Sequence, residues 1–223
     1  GAGRVLTVNG VVSGTNVNLN KIGFGDLTLG GANTFTGTTT IGGGTLNVSG
    51  SLNGTAGTDL TFTGSGIFNV AEAAGVNQGM GVLRFNGGDG VVKSTHAGSG
   101  SGTVSFASRG ARAKGATGNF VLAGGTAGTA GSPGTLGTNN IVIGGGELTG
   151  QLMDIGLFYN GAQYAAYDAG GFVRGLIYGT DANAPASIAG GSTLGTVDAA
   201  KNVQISGSIT AQTTASVNTI SDP

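Results

Sequence analysis

Residues 27–48 read LTLGGANTFTGTTTIGGGTLNV, in which three short strand-forming runs are separated by glycine and asparagine. The runs are Leu27–Leu29, Thr38–Ile41 and Thr45–Val48, and none of them contains a charged side chain. Successive side chains of a β-strand point to opposite faces, so alternation places the aliphatic ones together on one face. These are Leu27, Leu29, Ile41, Leu46 and Val48. The stretch therefore predicts β-strands that share an apolar face.

The glycines between these runs permit sharp turns. Gly30–Gly31 and Gly42–Gly44 can adopt the positive φ angles that tight turns require. Strands of three to five residues cannot bury an apolar face alone, so we expect them to stack on similar neighbours.

Five short motifs in this region resemble the autotransporter-associated β-strand repeat, also called the passenger-associated transport repeat. The matching residues are Phe24-Gly25, Leu27–Leu29, Asn33–Gly37, Thr39–Ile41 and Gly44–Val48. The resemblance implies a right-handed parallel β-helix, or β-solenoid, in a secreted or surface protein of a bacterium. It also implies a role in secretion.

Composition excludes several classes of protein. Glycine accounts for 49 of 223 residues without the three-residue period of collagen, and charged residues make up only 9%. Low charge argues against ordinary disorder. The absence of cysteine removes disulfide frameworks and thiolate metal sites, and we predict no cofactor. Nine basic against ten acidic residues make no electrostatic case for nucleic acid, and no apolar run is long enough for a transmembrane helix.

Strand-forming runs recur every 8–12 residues or so through residues 1–150, a spacing that fits a β-solenoid or a β-sandwich. The density of glycine and an internal repeat favour the solenoid, because Ile41–Leu46 (IGGGTL) returns at Ile143–Leu148 (IGGGEL). We therefore assign Ile143 and Leu148 to the structural repeat. Strands are expected to resume in residues 186–223, continuing or closing the solenoid.

A looser tract near residues 107–134 predicts a lateral loop, with Phe120–Leu122 retained as a strand. Arg109, Arg112 and Lys114 form a small basic patch within it. Such a patch can bind an anionic glycan, but three cations without aromatic neighbours are more typical of a solvated loop.

All four tyrosines fall within residues 151–185, which we interpret as an aromatic-rich insertion or as a cap on one end of the stack. Residues 164–167 (YAAY) suggest a helical turn. Aromatic faces stack on sugar rings, so this segment is the candidate ligand site, although packing of a cap explains the same residues. The nominated residues are Tyr159, Tyr164, Tyr167, Tyr178, Asp168 and Arg174.

Catalysis is the weaker expectation. Parallel β-helices include polysaccharide lyases and glycoside hydrolases, but such hydrolysis needs two carboxylates at a defined separation. The carboxylates here are scattered, and Asp154, Asp168 and Arg174 are the best set available. His96, the one histidine, lies in a predicted surface turn.

These patterns predict a non-catalytic structural module, and the resemblance implies a location outside the cell or on the bacterial surface. It would act as a stalk, fibre or adhesin segment, with no nucleic acid partner and no membrane span in this chain. Its expected partners are other copies of itself, joined head to tail or laterally, or cell-surface glycans. The alternatives are a carbohydrate-active enzyme and a glycan-binding module that uses residues 153–178.

Overall fold

A computed structural model describes residues 3–53, 57–71, 77–96, 102–125, 138–191, 193–195 and 197–222. This part of the chain is all-β and contains no helix, and therefore no helix that could span a membrane. Nineteen strands follow in chain order. They are β1 (Val5–Val8), β2 (Leu19–Lys21), β3 (Asp26–Leu29), β4 (Ala32–Asn33), β5 (Thr39–Ile41), β6 (Gly44–Val48), β7 (Ser51–Leu52), β8 (Leu60–Phe62), β9 (Gly66–Val70), β10 (Asn77–Phe85), β11 (Asp89–His96), β12 (Gly102–Arg109), β13 (Thr117–Gly124), β14 (Asn139–Ile143), β15 (Leu157–Tyr159), β16 (Gln163–Tyr167), β17 (Val173–Gly175), β18 (Asn202–Gln204) and β19 (Thr219–Ser221).

Two large sheets carry the architecture. One has nine strands in the order β1-β3-β6-β9-β11-β13-β15-β16-β17, and the other has six in the order β14-β12-β10-β8-β5-β2. From β1 to β15 the pairings in both sheets are parallel. Each circuit of the chain adds one parallel strand to each sheet. This arrangement is compatible with a β-solenoid and differs from the antiparallel sheets of a sandwich.

The register aligns apolar side chains in a column along the stack. Strand partners in the nine-stranded sheet place seven residues above one another: Leu6, Leu27, Leu46, Phe68, Val92, Phe120 and Tyr159. From Leu46 to Tyr159 these side chains are buried. The six-stranded sheet contributes a facing column of Lys21, Ile41, Phe62 and Phe85. Within this column the rings of Phe62 and Phe85 stack at 5.3 Å, and Phe85 meets Phe120 of the other column edge to face at 6.1 Å, so the two columns form the core.

A column of glycines lies beside these aromatic rings. Gly44, Gly66, Gly90 and Gly118 are direct strand partners. A Cβ atom on Gly90 would lie 2.5 Å from Cγ of Phe62. Glycine is therefore needed here so that the rings can pack against the backbone of the facing sheet.

The structure confirms only part of the predicted internal repeat. Ile143 is buried in β14 as predicted, but the prediction for Leu148 is wrong, because its side chain is 67% exposed. After Ile143 the glycines at 145 and 146 take positive φ angles, and the next strand of the stack begins only at Leu157. The second glycine run thus leads out of the stack, whereas the first leads directly into β6.

The predicted lateral loop is shorter than expected. Strand β12 continues to Arg109 and β13 begins at Thr117, so residues 107–109 and 117–124 belong to the sheets. The retained strand at Phe120–Leu122 is confirmed within β13. Alternation buries Phe106 and Phe120, which keeps both segments in the stack. Residues 126–134 of the predicted loop lie outside the described residues.

Beyond β15 the chain reverses direction. Strand β16 pairs antiparallel with both β15 and β17, so the helical turn predicted for residues 164–167 is wrong. The backbone hydrogen bonds that β16 forms with a strand on each side outweigh the weak helical preference of Ala165 and Ala166. Farther on, β18 pairs parallel with β19, and bridges join Ile188 to Ile205 and Gly191 to Ile209. The division of the chain at residues 150 and 185 stays a prediction.

Candidate functional site

The structure brings the six nominated residues of the aromatic segment together at one end of the stack. They lie on β15, β16 and β17 or in the loops that follow β16 and β17. Tyr159, Tyr167, Asp168 and Arg174 are buried, whereas Tyr164 and Tyr178 are half-buried. Only the latter two are therefore placed to contact a ligand directly.

Arg174 is the centre of a buried ion cluster. Its Nε donates to Oδ2 of Asp168 at 2.7 Å, and Nη1 and Nη2 donate to the two carboxylate oxygens of Asp181 at 2.6 and 2.7 Å. Burial alone would lower the pKa of the guanidinium. The hydrogen bonds and charges of Asp181 and Asp168 outweigh that effect and raise the pKa of Arg174. This arginine is thus a permanent cation between two buried carboxylates.

The two carboxylates also hold the loops on either side of β17. Oδ1 of Asp168 accepts a hydrogen bond from the amide of Gly170, and Oδ2 of Asp181 accepts one from the amide of Ile177. Asp181 was not among the nominated residues. No motif marks it, because its role depends on a chain reversal that brings it back to Arg174.

Tyr167 covers part of the free edge of the six-stranded sheet. Its hydroxyl accepts a hydrogen bond from the amide of Ile143 at 3.2 Å and donates to the carbonyl of Gly171 at 2.9 Å. Ile143 lies on β14, the last strand of that sheet. Burial raises the pKa of Tyr167, so its hydroxyl stays protonated at neutral pH. The tyrosine therefore supplies the acceptor that a further strand would otherwise provide.

Tyr164 forms the most accessible aromatic pair of this region with Phe158. Their rings stack at a centroid distance of 5.4 Å and an angle of 27°. The hydroxyl of Tyr164 reaches toward the carbonyl of Ile220 at 3.5 Å. Burial raises the pKa of the remaining two tyrosines, Tyr159 and Tyr178. Phe158 was not nominated, although it lies within the same aromatic cluster of the sequence.

Ion pairs neutralise most of the charge of the predicted basic patch. Arg109 forms a bidentate pair with Glu147 at 2.9 and 3.2 Å, and Arg112 pairs with Asp154 at 2.7 Å. Both arginine side chains are less than 15% exposed, so the prediction of a solvated loop is wrong for them. Lys114 is exposed, as predicted. A groove of about 320 Å³ borders Arg109, Glu147 and Met153.

The residues considered for catalysis are held by these same pairs. Asp154 is bound by Arg112 and Asp168 by Arg174, so the three best candidates belong to two different ion pairs. The prediction that His96 lies in a surface turn is wrong. His96 ends β11 and is buried, because alternation turns Val92, Ser94 and His96 inward together. In the described part of the chain, no cluster of three or more metal-binding side chains occurs.

Comparison with known proteins agrees with the resemblance seen in the sequence. The passenger-associated transport repeat family matches residues 19–48. Residues 19–48 are thus similar to one copy of this repeat. A stretch of 75 residues is also 41% identical to the Adhesin BmaC autotransporter of Brucella suis biovar 1 (strain 1330). That match covers 33% of this chain and 2% of the length of the relative. No solved structure matches the chain.

The passenger-associated transport repeat coincides with whole elements of the fold. It begins at Leu19, the first residue of β2, and ends at Val48, the last residue of β6. Within it β2 pairs with β5, and β3 pairs with β6. The repeat therefore contains both kinds of contact between successive layers, one in each large sheet.

Proposed function

We propose that this chain is a non-catalytic structural segment of a secreted or cell-surface bacterial protein. The observation that carries the proposal is the apolar column that continues through seven parallel layers, from Leu6 to Tyr159. Hydrogen bonds between layers run along the stack, so load on one layer passes to the next. A stiff segment of this kind suits a stalk, a fibre or part of an adhesin, and the adhesin relative supports that use.

The proposal includes two finer features of the fold. Parallel strands joined by a crossover connect in the right-handed sense almost without exception, which supports a right-handed coil. Residues 151–185 would act as the cap of the stack. The antiparallel strand β16 on β15 and the hydroxyl of Tyr167 on the amide of Ile143 support this role.

Antibody labelling and force spectroscopy test the proposal. Antibodies raised against the chain should bind intact cells of the bacterium that makes it, without permeabilisation. Pulled from its two ends, the chain should unfold in successive steps, because each layer contacts only its neighbours. Labelling restricted to permeabilised cells would contradict the surface location. A single unfolding event at low force would contradict the structural role.

A glycan-binding role is the second candidate, and the stacked pair Phe158–Tyr164 favours it. Half-buried aromatic rings offer a face to a sugar while their edges stay packed. On a glycan array, binding by the wild-type chain should be lost in Tyr164→Ala. It should persist in Phe24→Ala, which removes an exposed aromatic ring from the opposite end of the stack. Turnover of a glycan that disappears in Asp154→Asn would instead indicate an enzyme.

A further inference from the structure

The outer face of the nine-stranded sheet is continuous through the middle of the stack. Alternation along each strand turns one set of side chains into the core and leaves the next set on the outer face. Strand partners place five of these outward side chains above one another: Thr45, Ile67, Val91, Asn119 and Phe158. All five are half-buried. We call this row the outer column. Because each member pairs directly with the next, the row forms one surface.

The outer column offers a row of apolar groups. At one end, Tyr164 is the antiparallel strand partner of Phe158, and the two rings stack at 5.4 Å. Toward the middle of the stack, Thr45, Ile67 and Val91 line a shallow groove of about 280 Å³. Aromatic and aliphatic groups in one row suit a ligand whose rings have flat apolar faces, as sugar rings do.

A second row, beside the outer column, is polar. Asn47, Asn69, Lys93 and Val121 are successive strand partners, and we call them the polar column. Nδ2 of Asn69 donates to Oδ1 of Asn47 at 2.9 Å, and Oδ1 of Asn69 accepts a hydrogen bond from the hydroxyl of Thr95 at 2.8 Å. These bonds fix both amide groups in one orientation. Amides held in this way are ready to bond the hydroxyl groups of a sugar.

Lys93 gives this surface a positive charge. It is the one lysine or arginine in β6, β9, β11 and β13, and its side chain is half-buried. Within the described residues its ammonium group forms no ion pair. The one carboxylate in these four strands is Asp89, which begins β11 and lies four residues, or about 13 Å, from Lys93. The centre of the face therefore complements an anionic group.

We propose that the outer column and the polar column together bind an oligosaccharide that carries a carboxylate. Its rings would lie on Val91 and the stacked pair Phe158–Tyr164, and its carboxylate would pair with Lys93. Lys93 and Phe158 lie two layers apart, about 10 Å along the stack, so an oligosaccharide that runs along the stack can contact both. The inference rests on the glycan-binding candidate of the proposed function and names the class of its ligand.

Matched acidic and neutral sugars test the role of the charge. The probe is an array that carries oligosaccharides of galacturonic acid and of sialic acid beside their methyl esters, which differ only by loss of the negative charge. The wild-type chain should bind acids at least tenfold more tightly than the corresponding esters. Added salt should weaken binding of the acids, because it screens the attraction to the partly exposed Lys93, and should leave binding of the esters unchanged.

Variants on the same array locate the site. Lys93→Gln should weaken binding of the acids at least tenfold and leave the esters unchanged, whereas Lys93→Arg, which keeps the charge, should retain the preference for acids. Lys114→Gln is the control, because Lys114 is exposed in the loop between β12 and β13. Tyr164→Ala should weaken acids and esters alike, since stacking does not depend on the charge. Circular dichroism melting should show that all four variants stay folded.

Three results would overturn the inference: no binding to any acidic sugar, equal binding of acids and esters, or a preference for acids that survives in Lys93→Gln. Equal binding of acids and esters that is lost in Tyr164→Ala would keep the glycan-binding candidate while removing the assignment of an acidic ligand. The proposed structural role depends on the stack itself, so it stands under each of these outcomes.

Discussion

Glycine at positions 66, 90 and 118 is required by packing rather than by turn formation. A Cβ atom at these positions would lie 2.6, 2.5 and 2.6 Å from the nearest atom of a buried side chain on a facing or neighbouring strand. None of the three has a positive φ angle. Glycine is thus required at these positions by the side chains that lie opposite them. The conformational cost of glycine in a strand is offset by the burial of Phe62 and Phe85.

Gly90→Ala should destabilise the chain by about 1–3 kcal/mol, the usual cost of overpacking a core. The added methyl group would meet Phe62 and Phe85, whose rings already stack on each other. Gly10→Ala is the matched control, because a Cβ there has no neighbour within 4 Å. Urea denaturation should separate the two variants, and equal stability would contradict the proposed packing.

Arg174→Met should destabilise the chain by about 3–5 kcal/mol, because it leaves two buried carboxylates without a counter-charge. Asp168 and Asp181 are both buried beside the arginine. Arg84→Met removes the exposed pair with Asp59 and should cost no more than about 1 kcal/mol. A similar loss of stability in both variants, measured by urea denaturation, would argue against the buried cluster.

At the scale of single elements, the two ends of the stack are treated differently. Short strands leave backbone groups unpaired at each end of a sheet, and those groups must be covered or left exposed. Beyond β14 and β15 the chain supplies an antiparallel strand and a tyrosine hydroxyl. Above β1 the described chain supplies no such cover. The closed end depends on few contacts, so single substitutions there should be informative.

Tyr167→Phe should cost about 1–3 kcal/mol, because the amide of Ile143 would be left buried without an acceptor. Tyr164→Phe removes a long hydrogen bond on an exposed group and should change stability by less than about 0.5 kcal/mol. Thermal unfolding followed by circular dichroism compares the two. Faster hydrogen exchange at Ile143 in Tyr167→Phe alone would identify the lost contact.

For the whole molecule, stability depends on how many neighbours each layer has. Layers in the middle of the stack, such as β6, β9 and β11, have a strand on both sides, whereas β1 has one. In an array of this kind, local opening begins at the ends.

Hydrogen exchange read by mass spectrometry should therefore depend on position along the stack. In dilute solution, amides of β1 should exchange fastest among the strands of the nine-stranded sheet, and those of β9 and β11 slowest. Exchange in β1 that is as slow as in β9 when dilute would contradict the layered account.

Alternation and glycine punctuation predicted strands that share an apolar face in residues 27–48, and the resemblance to the repeat family implied that these strands stack in parallel. The strand positions, the shared apolar face and the repeat family all depend on local order in the sequence, because a strand of fixed period must expose or bury its side chains in turn. Leu148 shows the limit of that reasoning. An identical IGGG motif leads into the stack at Gly44 and out of it at Gly146. Strand β6 begins at Gly44, whereas Leu148, which follows Gly146, is exposed.

The sequence alone determined the class of fold, the absence of thiolate chemistry and the clustering of the tyrosines within residues 151–185. The tertiary structure decided which of those aromatic residues are buried, that Arg174 is shared by Asp168 and Asp181, and that an antiparallel strand covers β15. Each of these depends on contacts between distant segments, whose partners follow from the path of the chain and not from local pattern.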